Sequence, residues 1–325
     1  MASPRGHSLT LLELLTCAVV LAATCVMTAV GAGRAREQAD RVKCASNLRQ
    51  TGQGMMMYAA GNQGALPRAV FEGTGATPTA YTSPIAPNPF QPGGPGPNDV
   101  TAAMFLLLRT QDMSSFVFVC PSVRDQEAWD LGGKPQNQVS NFPGRQYLGY
   151  SFANPYASPA AVAAGFKWDN TLTSDFAVAG DMNPGSSAVV FVNPLSPRRQ
   201  MQTANSMNHN GDGQNVLYAD GHVEFHNTPF CGMLRTPAAG QPYRDNVYTY
   251  GVGYGGAAGV GVRGSPVDGL DSELLPTALD GPAPTANLNR PFTWTMAGVA
   301  AAVITCIALT VRLALRRTRT APVPQ

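Results

Sequence analysis

The feature that most constrains this chain is a proline-free stretch over residues 9–62 whose two halves differ in character. The first half, LTLLELLTCAVVLAATCVMTAVGAG (9–33), is apolar and carries one charge, Glu13. The second half (34–62) is polar, and Ala35, Ala39, Val42, Ala45, Leu48, Gly52, Met55 and Ala59 recur in it at steps of three and four. That spacing is the stripe of an amphipathic helix. With no proline to remove a hydrogen bond from its interior, one continuous helix is expected. Gly61, Gly64 and Pro67 form its stop signal. About 25 residues at ~1.5 Å each exceed the ~30 Å of a bilayer core, so 9–33 reads as a transmembrane half.

A second apolar run covers 292–315. Trp294 stands at its start, and Arg312, Arg316, Arg317 and Arg319 gather at its end. That pattern reads as a C-terminal transmembrane helix followed by a basic cytoplasmic tail, 316–325. The expected organisation is then a leader (1–8), a membrane half-helix (9–33), an amphipathic half-helix (34–62), an extracytoplasmic domain (63–250), a Gly-rich linker (251–291), the second span and the tail. Both termini are expected in the cytoplasm before any processing. A net charge of +2 provides no electrostatic footprint for nucleic acid, which is excluded as a partner.

Within the middle domain, 66–99 is rich in proline and reads as an extended loop. Asp99 is placed to cap a short helix, VTAAMFLLLRT. Strand candidates follow at 116–120, 147–152, 176–180, 188–192, 214–219 and 222–226, separated by turn residues. A helix followed by a run of strands predicts an α+β fold with an antiparallel sheet packed on the long helix. Cys17, Cys25 and Cys306 fall in the apolar runs. Cys44, Cys120 and Cys231 fall outside them, where one bridge and one leftover thiol are expected; Cys44 with Cys120 is the pairing adopted.

The segment NHNGDGQNVLYADGHVEFH (208–226) concentrates polar chemistry. Asp220-Gly221 between alternating stretches predicts a two-residue hairpin. That register sets Ala219 opposite His222 and Val216 opposite Phe225. Val216, Tyr218, Val223 and Phe225 are then expected on the core face, with His222, Glu224 and His226 on a solvated one. Asn208, Asn210 and Asp212, ahead of Gly213, resemble the start of a calcium loop. Calcium is the candidate ligand there, with a polar turn as the competing reading. His209 is open to roles as ligand, base or packing residue. No GxSxG and no readable nucleophile–base pair occur, so enzyme activity is not expected.

LTLLELL followed by an apolar run and a long polar helix resembles the prepilin-type segment of type IV pilins and type II secretion pseudopilins. RVKCASNLRQTGQGMMMYAAGNQGALP, FVCPS and NVLYADGHVEF resemble the planctomycete-type group of pilin-like proteins with a C-terminal H-X9-DG domain. Here ten residues separate His209 from Asp220-Gly221, one more than that name implies. The resemblance implies a pilin-like fold, a prepilin peptidase as partner, and cleavage between Ser8 and Leu9, with Ser8 standing where the family carries Gly. It also implies that Glu13, fifth after the cut, meets the N-terminal amine of a neighbouring subunit. The implied function is a structural, self-associating subunit of a type II secretion or type IV pilus-like apparatus in the bacterial cytoplasmic membrane. The alternative is a two-span, membrane-anchored binding module that does not polymerise.

Overall fold

The computed structural model describes residues 11–73 and 77–281. Ser8, Leu9 and the apolar run at 292–315 lie outside these residues. The described residues fall into two units, the first holding 11–38 and the second 39–73 with 77–281. A single helix, α1, runs Leu11–Gly61 and passes from the first unit into the second.

Among the described residues no helix is long and apolar enough to cross a membrane. This overturns the transmembrane reading and, with it, the cytoplasmic-membrane localisation. The segment 11–33 is not set off as an apolar helix of its own. It is the beginning of α1, which carries Glu13 in its first turn and continues directly into the charged RAREQADRVK.

The second unit is α+β. α1 ends as Asn62 and Gly64 both donate backbone N–H groups to the Ala59 carbonyl, while Gln63 and Gly64 take left-handed φ values of 57° and 86°. The buried stripe of α1 begins at Cys44 and continues through Leu48, Thr51, Met55 and Ala59; Ala35, Ala39 and Val42 are exposed. α2 (Val100–Thr110) starts at Asp99, whose Oδ1 accepts from the Ala102 N–H at 2.9 Å. The other oxygen, Oδ2, accepts from the Thr82 N–H and hydroxyl and from Asn141. One buried carboxylate thus starts α2 and pins the proline-rich loop beside it. Val100 to Leu108 are all buried, as befits a helix apolar on every side. Three short helices follow, α3 (Pro159–Ala163), α4 (Ala188–Phe191) and α5 (Arg198–Ala204).

The strands are β1 (Tyr150–Ala153), β2 (Ala177–Asp181), β3 (Gln214–Tyr218), β4 (Val223–His226), β5 (Phe230–Arg235), β6 (Tyr243–Asn246) and β7 (Leu274–Leu275). An antiparallel sheet has the order β4-β3-β2-β1-β7, and β5 pairs with β6 in a separate ribbon. Two strand expectations fail. Residues 115–118 form a 3₁₀ turn capped by the Ser114 hydroxyl, and 188–191 form α4. Both are short apolar runs, whose periodicity does not separate strand from helix. The expected linker is also folded in part: Leu274 and Leu275 pair with Ala153 and Phe152 at the sheet edge, and Tyr250 bridges to Gly261.

The β3–β4 hairpin is one residue out of the expected register. Tyr218 donates its N–H to the His222 carbonyl, and Gly221, at φ 90°, donates to the Tyr218 carbonyl. The loop therefore has three residues, Ala219-Asp220-Gly221, with only glycine left-handed. Leu217 now faces Val223, and Asn215 faces Phe225. The slip changes which side chains meet α1. Asn215, Leu217 and Phe225 approach it: the Asn215 amide donates to the Arg41 carbonyl, and the Arg41 guanidinium lies 4.6 Å over the Phe225 ring. Tyr218 lies on the opposite face, stacked on His222 at 4.4 Å and donating to the Cys231 carbonyl. β3 is buried on both faces, against the expectation of one solvated face.

A Cβ at Gly52 of α1 would stand 3.0 Å from Leu217 Cδ1. Gly52→Leu is expected to lower the denaturant-derived stability by about 1–3 kcal/mol through overpacking. Gly61→Ala, in open space, should stay within about 1 kcal/mol of wild type. Equal stabilities for the two variants would contradict this account of the helix–sheet contact.

Candidate functional site

The densest buried polar chemistry lies where α1, β2 and β3 meet. β2 ends in Asp181, which has no solvent exposure. The segment leading into β3 bends through a 3₁₀ turn, Met207–His209, capped by the Ser206 hydroxyl. Asn210 then takes a left-handed φ of 59°. At Gly211 and Gly213 a Cβ would strike the backbone oxygens of Gln202 and His226. The glycines therefore let the chain double back tightly, and the bend turns Asn208 and His209 inward.

Asp181 gathers these groups. Its Oδ2 accepts from the Asn215 N–H at 2.6 Å and the Asn215 amide at 3.2 Å, and lies 3.2 Å from His209 Nε2. Its Oδ1 accepts from Asn208 Nδ2 at 3.2 Å, and the same amide donates to the Gly149 carbonyl. A carboxylate out of water needs such donors to stay charged. The other ring nitrogen of His209, Nδ1, lies 3.1 Å from Ser122 Oγ. Burial first, and then the charge of Asp181, push the Tyr150 and Tyr248 phenols well above their ordinary range. They therefore serve as neutral donors, Tyr248 to the Asp181 carbonyl at 2.9 Å and Tyr150 to the Val119 carbonyl at 3.3 Å. Beside them Cys44 of α1 and Cys120 are joined in a disulfide, with Cα atoms 5.5 Å apart. One ligand atom from each of Cys44, Cys120, Asp181 and His209 lies within 4.8 Å of all the others, and all four residues are buried.

The residues singled out from sequence are distributed unevenly. Cys44, Cys120 and His209 come together here. Asp220 does not: it sits in the exposed hairpin loop, where its carboxylate accepts from the His222 N–H at 3.0 Å and meets His222 Nδ1 at 2.5 Å. These contacts, the backbone one first, hold its carboxyl below the usual range. The calcium set is divided as well. Asn208 turns in to Asp181, while the Asp212 carboxylate meets Arg41 at 2.8 Å and Arg198 at 3.8 Å. A guanidinium in contact with that acid opposes a cation there. Glu13 stands in the first turn of α1. Ser122 and Asn215 lie within FVCPS and NVLYADGHVEF, which assign them no role, and Asp181 lies outside every motif. The one local hint is AVAGD, an acid ending an otherwise apolar strand. No family model matches the chain, and no curated protein or solved structure matches it either.

A second buried polar region joins β5, β6 and the segment before β7. Arg235 donates to Asp245 at 2.6 Å and grips Asp268 with two bonds, at 2.8 and 3.1 Å. Burial pushes the Asp271 carboxyl up to about 6, against N–H bonds from Gly251 and Val267. Burial and the neighbouring Asp271 push Glu273 well above the ordinary value, although Asn154 and the Gly264 N–H donate to it.

Removing the central acid should be costly. Asp181→Ala takes the acceptor from the Asn215 N–H and removes the carboxylate on which the Asn208 and Asn215 amides and the His209 ring converge, and is expected to lose about 3–5 kcal/mol. Asp220→Ala, at the exposed loop, should lose under about 1 kcal/mol. Chemical denaturation of both variants checks the contrast, and comparable losses would contradict the placement of the buried charge. The second region predicts a pH dependence. Asp271 and Glu273 bind protons more tightly folded than unfolded. Their contribution is complete below the unfolded values near ~4 and is lost as pH rises through about 6 for Asp271 and higher for Glu273. Glu273→Gln should therefore gain stability relative to wild type as pH rises from 4 to 8. A difference that stays constant over that range would contradict it.

Proposed function

We propose that the chain is a structural, non-catalytic subunit that assembles with copies of itself or with other pilin-like subunits through the first part of α1. The observation that carries this reading is the row of large apolar side chains exposed there: Leu15, Val19, Val20, Leu21 and Met27. Exposed apolar side chains clustered on one element mark an interaction surface. The helix of a neighbouring subunit, apolar over the same length, is a fitting cover. The prepilin-like LTLLELL pattern and the position of Glu13 support the same reading.

A structural role also suits the buried site. Ser122, His209 and Asp181 occur in the order of a serine hydrolase relay, but the imidazole and carboxylate have no exposure. A general base must come within hydrogen-bond reach of a substrate proton. This one is surrounded by its own chain.

The test is sedimentation of the full chain over a wide concentration range. Wild type should self-associate, and Val19→Asp combined with Leu21→Asp should weaken association at least tenfold. Cys17, exposed on the same helix, should form cross-links between copies in wild type only. A wild-type chain that remains monomeric and uncross-linked, or one that a fluorophosphonate labels at Ser122, would overturn the proposal.

A further inference from the structure

We propose that the cluster of Cys44, Cys120, His209 and Asp181 is a zinc site in its reduced state, and that the disulfide, which joins two of these residues, and the metal, which would join all four, are alternative locks at the same place. Zinc takes four ligands from Cys, His and carboxylate, with bonds of about 2.0–2.3 Å in a tetrahedron. The ligands of such a tetrahedron lie roughly 3.3–3.8 Å apart, which follows from those bond lengths. Here the four ligand atoms fall within 4.8 Å of one another, and the His209 Nε2 to Asp181 Oδ2 edge is already 3.2 Å. Two thiolates, one imidazole and one carboxylate form a borderline-soft set that suits zinc over magnesium or calcium.

The groups around the ligands are those a metal site requires. A ligating histidine is held by a bond from its other ring nitrogen. His209 Nδ1 lies 3.1 Å from Ser122 Oγ, which leaves Nε2 directed toward Asp181. The carboxylate is oriented in turn by Asn208 on one oxygen and Asn215 on the other. All four ligand residues are completely buried, so the cluster excludes competing water. Zinc would also offset the negative charge of Asp181 and of two thiolates in a region that α1 and β3 enclose.

The exchange balances. A dithiol reductant gives two electrons and two protons to the Cys44–Cys120 bond, is itself oxidised to a cyclic disulfide, and leaves two thiols. Zinc then binds as both thiol protons leave to solvent, so the site holds two thiolates, neutral imidazole and carboxylate. A low-molecular-weight disulfide oxidant takes two electrons from the two thiolates by thiol–disulfide exchange and, with two protons from solvent, leaves as two thiols; the Cys44–Cys120 bond re-forms, two ligands are lost and the metal is released.

The test uses the full chain, reduced anaerobically with a water-soluble phosphine, which becomes the phosphine oxide, and titrated with cobalt(II) and then zinc(II) alone. The expected result is one cobalt per chain, with a thiolate-to-cobalt charge-transfer band and the visible bands of a tetrahedral ion, displaced by one equivalent of zinc. The oxidised chain should bind at least a hundredfold more weakly. Asp181→Ala and His209→Ala should weaken cobalt binding at least tenfold while retaining the thiolate band. Cys44→Ser with Cys120→Ser, which keeps Cys17, Cys25 and Cys231, should abolish that band. If reduction unfolds the chain, zinc should restore its near-ultraviolet circular dichroism. Failure of the reduced wild type to bind one metal ion, failure of zinc to restore that signal, or equal binding by the double cysteine variant would each overturn the proposal.

Discussion

One buried negative charge organises this fold. Asp181 ends β2, the middle strand of the sheet, and α1 covers the adjoining face. A carboxylate there is far from water and costs several kcal/mol unless donors surround it. The chain supplies them from two places: β3, through the backbone and side chain of Asn215, and the turn before it, through Asn208 and the ring of His209. Each donor fixes more than itself. The Asn215 bonds set how the start of β3 lies against the end of β2. The inward rotation of Asn208 and His209 demands the tight bend that Gly211 and Gly213 allow.

Local signals in the sequence were legible where short-range chemistry decides. The end of α1 at Gly61, the Asp99 cap and the Asp-Gly hairpin each rest on a few adjacent residues with one dominant backbone preference. The register of that hairpin was not legible, because Asp-Gly is compatible with both a two-residue turn and a three-residue loop with glycine left-handed. One added residue exchanges the faces of Tyr218 and Leu217. FVFVC and AVVFV misled for a different reason. Four or five apolar residues fit a strand and a helical turn equally well, and the Ser114 cap tips the first toward a 3₁₀ turn. The Gly-rich stretch after residue 250 looks like a tether because its anchoring groups, Asp271 and Glu273, act by burial, and burial has no signature in composition.

The site was legible only in part, for a related reason. His209 and the two cysteines stand out as residue types. Asp181 lies 28 positions before His209 and looks like an ordinary strand terminus, so nothing local pairs them. Asp220, the acid nearest to His209 in the recognisable motif, is the wrong partner. It satisfies its own loop through His222, and the motif therefore marks two separate jobs: Asp220-Gly221 turns the hairpin, while His209 sets its ring against the carboxylate at a strand end.

Complete burial also limits what the four-ligand cluster can do. A site that no substrate reaches acts through what it holds together. The disulfide joins two points 76 residues apart, α1 and the segment after the Ser115–Phe118 turn. Closing a loop of that length restricts the unfolded chain substantially, by roughly 4 kcal/mol in the chain-entropy model. A metal on the same cluster would join four points: those two, the end of β2, and the turn that precedes β3. The covalent lock holds the helix to one segment and leaves Asp181 and His209 as a hydrogen-bonded pair beside it. The coordinate lock would draw that pair into the bond itself. The two states would therefore differ less in where the elements lie than in how many of them must let go together, which makes the cooperativity of unfolding the property that distinguishes them.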